Sequence, residues 1–326
     1  MQDLIMDESR PLDPSTLPIF RRKVVGISAV LLPFEEGGKV NWPEFRRLLS
    51  WTMAAGLVPA VNMDTGYVNL LDEETRTRVL RETRAVVGGG EYVAGGYVAD
   101  RPGAGWNRDE TLRAMGMVRR ECGTPVLFPS FGLNGQEEGA IVAAHEDVGR
   151  DCGRFIAFEL GPMFAQSGRI HSAEAFEAIA GIPGCIGTKH SSLSRSLEWE
   201  RLAIRDRVRP EFKVFTGNDL AIDMVMYGSD YLLGLSACAP DVFAKRDAFW
   251  AKGDSAFYEL NDILHYLGQF AFRAPVPAYK HSVAMFLKLR GWISSDEPHP
   301  SCPRRPESDR EVLREVARRL GVLAGE

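Results

Sequence analysis

Short apolar runs alternate along this chain with longer stretches in which apolar residues recur every three or four positions. The runs occupy 26–32, 57–62, 92–98, 125–128, 155–160, 185–189, 212–216 and 231–235, and turn residues bound them. Runs of that length suit strands buried on both faces of a parallel sheet. Between them the spacing changes to that of helices. The first opens at Asn41 or Pro43 and places Phe45, Leu48, Leu49 and Met53 on one side; others follow at 72–87, 109–121, 136–148, 173–180, 194–204 and 219–226. Strands alternating with helices imply right-handed crossovers and a parallel sheet. Eight such units fit an α/β fold of the closed (β/α)8 type over residues 23–240. An open dinucleotide-binding sheet would carry a glycine-rich phosphate turn after its first strand, where Leu32-Pro33-Phe34 stands instead.

Beyond residue 240 only the helical period remains, at 240–252, 254–271, 278–290 and 307–320. A proline-stiffened stretch, 297–306, precedes the last of these. The expectation is a helical bundle over 241–326 packed on the barrel. Residues 1–22, rich in acid and proline, read as an arm on the surface or on a neighbouring subunit.

Composition narrows the class. In 326 residues, 45% hydrophobic and 25% charged content are ordinary for a globular core, and the formal charge of −5 gives no nucleic-acid signature. Five scattered cysteines without a CxxC pair fit reduced thiols, and the acidic amino terminus does not resemble a secretory signal. No apolar run approaches the roughly 18–20 residues of a membrane span. The expectation is a soluble cytoplasmic protein without a membrane or nucleic-acid partner. Six dispersed histidines with no HxH or HExxH spacing point to no metal, and no cofactor is implied.

The chemistry to weigh lies in Gly184-Cys185-Ile186-Gly187-Thr188-Lys189-His190-Ser191-Ser192. A lysine at the carboxyl end of a buried strand sits at the barrel end that carries active sites. Its free pKa of about 10.4 makes it a poor nucleophile near neutrality. Partial desolvation frees an amine that can attack a ketone and form a Schiff base. The plainer alternative is a lysine whose stem is buried and whose amine snorkels to water.

Four stretches together resemble the dihydrodipicolinate synthase / N-acetylneuraminate lyase family of class I aldolases. Gly26 to Phe34 with Gly38-Lys39-Val40-Asn41-Trp42 resembles its first strand and turn. Asp64-Thr65-Gly66 resembles its Thr-Thr-Gly carboxylate-binding loop. Gly187-Thr188-Lys189 resembles its Gly-x-Lys Schiff-base motif, and Thr216-Gly217-Asn218-Asp219 its Ser-Gly-Asp-Asp turn. The similarity covers roughly residues 24–322. It implies a homotetramer or dimer in which the lysine condenses with a 2-oxo acid and an enamine follows. The family usually carries a relay tyrosine on its fifth strand, where Phe158 or Glu159 stands here. Phe128-Pro129-Ser130-Phe131 replaces the fourth strand's tyrosines, and Asp64 replaces the first threonine of the loop.

These readings make Lys189 the imine-forming nucleophile. Glu159, if it points into the barrel, serves as general acid/base in place of the phenol; otherwise it binds a helix amino terminus. Asp64, Thr65 and Gly66 are candidate substrate contacts, Asp64 being equally a turn cap. Asn218 and Asp219 are placed at the substrate's distal end or as helix caps. His190 should point away from Lys189. Lys280, in a predicted helix, is set aside. The expected function is a class I lyase or aldolase acting on a 2-oxo acid or related hydroxylated carbonyl compound. A Schiff-base dehydratase of a sugar acid and a non-catalytic metabolite-binding barrel are the alternatives.

Overall fold

The computed structural model describes residues 17–325. Eight parallel strands close into a barrel in chain order, β1 to β8: Gly26–Ala29, Val58–Val61, Val93–Gly96, Thr124–Leu127, Phe155–Leu160, Cys185–Ser191, Lys213–Thr216 and Asp230–Leu233. The helices between them are α1 Trp42–Ala54, α2 Glu73–Val87, α3 Arg108–Arg120, the single turn α4 Phe131–Asn134, α5 Glu138–Cys152, α6 Ala173–Ala180 and α7 Arg195–Val208. Four more follow the last strand: α8 Pro240–Lys252, α9 Ala256–Ala271, α10 Tyr279–Leu289 and α11 Asp309–Arg319. The expected barrel and its carboxy-terminal helices are therefore present.

Local chemistry explains where the helices begin. Asn41, Asp72, Asn107, Ser130, Ser172 and Ser194 each accept a bond from a backbone amide of the first turn. That satisfies donors which the helix itself cannot reach.

Three segments differ from the expected pattern. Strand β1 stops at Ala29, because Val30 to Leu32 lie buried without ladder partners beyond the bond from the Val30 amide to the Ala60 carbonyl. The helix expected at 136–148 is present as α5, Glu138–Cys152, but a separate turn, α4, precedes it. Asp100 accepts from the amides of Phe131 and Gly132 and fixes the separate turn α4 before α5 begins at Glu138. The helix expected at 219–226 is a 3-10 turn, Ile222–Tyr227, closed by Gly228 at φ 111°. Of the amino-terminal arm, residues 1–16 lie outside the described residues. Its end is tied down: the Ile19 amide donates to the Met226 carbonyl at 2.7 Å, and Arg22 meets Asp230 at 2.6 Å.

The chain divides into two compact units. One comprises Gly95–Leu232 and the stretch ending at Val24; the other comprises Val25–Ala94 and the described residues from Leu233 onward. In the first, the outer faces of β4 to β7 (Leu127, Phe155, Ala157, Cys185, Val214) pack on α5, α6 and α7 through Ala144, Val148, Phe176, Ile179 and Leu202. In the second, α1 packs on α2 and α8, α8 on α9, and α10 on α11.

Candidate active site

Strand β6 sets up the first cluster. Its ladder with β5 pairs Phe158 with Lys189, and its ladder with β7 pairs Lys189 with Phe215. Residues paired across a parallel ladder share a face, and alternate residues of one strand do too. Cys185 and Phe155 belong to the core against the helices; the irregularity that follows leaves Ile186 out of the ladder, so Gly187 pairs with Ile156 and the facing of β6 reverses there. Gly187, Lys189 and Ser191 therefore point into the barrel with Phe158 and Phe215. Lys189 is buried (9% exposed); its Nζ lies 4.1 Å from the centre of the Phe158 ring and donates to Ser191 Oγ at 3.1 Å. Phe128 meets Phe158 edge to face at 5.3 Å, and Tyr97 meets Phe128 at 5.5 Å.

Glu159 must be corrected. It shares a ladder position with His190, one residue out of phase with Lys189, and so faces the helices. There it accepts from His190 Nδ1 at 2.8 Å, from Arg201 Nε at 3.2 Å and Nη2 at 3.0 Å, and from the His171 amide at 3.1 Å. Burial alone would raise its pKa, but His190 and Arg201 hold the carboxyl well below the usual carboxylate range. A carboxylate so saturated cannot stand in for an inward phenol. His190 lies away from Lys189, as alternation requires. Near this cluster burial lowers His145 to about 4, aided by neighbouring His171.

The turn after β7 is likewise a brace. Asn218 accepts from the Leu193 amide at 2.5 Å and donates to Glu198 at 2.5 Å. Glu198 also accepts from Thr216 at 2.8 Å and Ser229 at 2.6 Å, and burial raises its pKa. Both polar ends of the Asn218 side chain thus hold the start of α7, a different helix from the one its position suggested. Asp219 is buried.

The second unit holds the Asp64–Gly66 turn after β2. Asp64 accepts from Lys280 Nζ at 3.0 and 3.2 Å and from the Tyr279 hydroxyl at 2.8 Å. Thr65 Oγ1 lies 2.9 Å from the same hydroxyl. A Cβ on Gly66 would come within 3.4 Å of the Val30 carbonyl, so the turn sits closely on the segment after β1. The negative charge introduced by Asp64 is matched by Lys280, the lysine set aside on sequence grounds. Nothing in the spacing of Asp64 and Lys280 announces this pair. The proximity of Ser191 to Lys189, in contrast, follows from alternation along one strand and was there to be read.

No family model matches the chain. A 4-hydroxy-tetrahydrodipicolinate synthase from Kosmotoga olearia is 25% identical over 233 residues, covering 70% of this chain and 75% of that protein. Among solved structures, dihydrodipicolinate synthase from Thermotoga maritima superposes with a TM-score of 0.78 at 18% identity, over 93% of this chain and all of the other. A prophage protein of the dihydrodipicolinic acid synthase family from Escherichia coli K12, in complex with pyruvate, gives 0.78 at 18% identity over 92% and 99%. The sialic acid aldolase of Ruminococcus gnavus gives 0.73 at 16% identity over 92% and 98%. These structures share the fold.

Proposed function

We propose, from the premise that the chain is a distant member of the dihydrodipicolinate synthase / N-acetylneuraminate lyase family, that it is a class I lyase whose Lys189 forms a Schiff base with a 2-oxo acid. The observation that carries this reading is the placement of Lys189 Nζ: inward on β6, over the Phe158 ring, with a hydroxyl in reach. Attack by the amine on a keto carbon and loss of water give an imine, whose protonated form draws electrons from the neighbouring carbon. In a lyase the bond from that carbon to a carbon fragment then breaks, the fragment leaving as a carbonyl compound and its electron pair staying behind as an enamine; in a dehydratase a proton leaves first to give the enamine, which expels hydroxide from the next carbon and leaves an unsaturated imine.

In the Asp64–Gly66 turn the Thr65 hydroxyl meets the Tyr279 hydroxyl, which itself donates to Asp64, and Lys280 offsets the charge of Asp64. Glu159 lies in its ion cluster and Asp64 in its pair with Lys280, so neither favours a hydroxylated substrate over a simple 2-oxo acid.

The test is to incubate the protein with pyruvate and a panel of longer 2-oxo acids, reduce with borohydride, and assay the released products. An adduct with a smaller aldehyde or ketone product identifies a lyase; an adduct with a dehydrated 2-oxo acid of unchanged carbon number identifies a dehydratase. Ligand-dependent melting shifts without any adduct would overturn the proposal in favour of a non-catalytic binding barrel.

A further inference from the structure

We infer that Ser191 is a catalytic residue, its hydroxyl carrying a proton from the Lys189 nitrogen to the substrate oxygen as the carbinolamine forms. This role rests on the Schiff-base chemistry proposed above. Ser191 stands two residues beyond Lys189 on the last position of β6, and so on the same inward face. Its Oγ is 3.1 Å from Nζ and the residue is 1% exposed. The β7 turn seats it: a Cβ on Gly217 would lie 2.0 Å from Ser191 Oγ and 3.2 Å from Lys189 Cε. Only a glycine at 217 leaves both groups where they are. Phe158, level with Lys189, has a phenyl ring and no oxygen to offer.

The chemistry needs such a group. When the Nζ lone pair forms the nitrogen–carbon bond, the carbonyl π pair moves to oxygen. That leaves a positive nitrogen still bearing hydrogens beside a negative oxygen on the same carbon. Direct transfer between them would close a cramped ring. Through Ser191 the nitrogen gives a proton to Oγ while Oγ gives its own hydrogen to the alkoxide. Both charges vanish, the carbinolamine is neutral, and the serine is unchanged. An oxygen that already accepts from the amine is placed for the first half of that exchange.

The test uses the intact chain, pyruvate as probe, and rapid-quench borohydride trapping followed by mass spectrometry. Ser191→Ala is expected to slow appearance of the Lys189 adduct by about 100-fold. The amount trapped after long incubation should match the unaltered protein. Ser191→Thr, which keeps the hydroxyl, should recover most of the rate, and melting curves of all three should superpose closely. An unchanged rate in Ser191→Ala overturns the role. So does a fall in rate and final amount together that Ser191→Thr does not rescue, since that marks a packing residue. Absence of any adduct in the unaltered protein overturns the Schiff-base proposal itself, and this role with it.

Discussion

The two faces of β6 carry opposite chemistries one residue apart. Inward, the Lys189 amine meets a hydroxyl and the face of a ring. Outward, His190 is tied to Glu159, and Glu159 to Arg201, through short charge-assisted bonds. A charged group held by several fixed partners is a poor candidate to change its bonding during a reaction. The inward amine meets a hydroxyl, a group that can both take and give a proton. The outward cluster instead locks β5 and β6 to α7, which holds the strand that presents the amine.

Variants on the two faces should therefore fail in different ways. The largest effect is expected inward: Lys189→Met abolishes adduct formation and turnover while the melting temperature stays within a few degrees. A variant that still turns over would break the contrast between the faces. Outward, Glu159→Gln leaves the buried Arg201 and His190 without their shared anion and should cost about 3–5 kcal/mol in urea unfolding. The folded fraction should still be trapped at the normal rate; a matching loss of trapping per folded molecule would mean that the outward face takes part in chemistry. Asn218→Ala, which strands the Leu193 amide and one bond to Glu198, should cost about 1–3 kcal/mol by the same measurement.

The smallest effect separates two buried carboxyls by pH. Glu159 has its pKa lowered on folding, so its contribution is present above the unfolded value of about 4.3 and is lost as pH falls below it. Glu198 has its pKa raised, so its contribution is present below that value and is lost as pH rises through the folded one. Denaturation midpoints across this range should show Glu159→Gln removing a loss of stability in acid, while Glu198→Gln flattens a loss on the alkaline side. Equal slopes in both variants would show that the two carboxyls do not differ as described.

How far the sequence reveals all this depends on the kind of signal. The barrel was legible because eight apolar runs and their intervening helices repeat the same unit. Lys189 was legible from its place at the end of one of them. The facing of Glu159 was not, because all six residues of β5 are buried. A strand covered on both faces shows no polar alternation from which to read its phase. The Asp64–Lys280 pair joins residues 216 positions apart, and no local pattern encodes such a contact. The separate turn α4 ahead of α5 was hidden for a similar reason. It depends on Asp100 reaching the amides of Phe131 and Gly132 from another loop.

Class I chemistry in this chain requires one nitrogen, that of Lys189, to become covalently bound to substrate. The direct measurement is peptide mapping of the unaltered protein after incubation with pyruvate and borohydride. The predicted result is a single reduced pyruvyl adduct on the peptide containing Lys189, with the peptide containing Lys280 unmodified. An adduct on Lys280 instead, or no adduct with pyruvate or any longer 2-oxo acid, would contradict it.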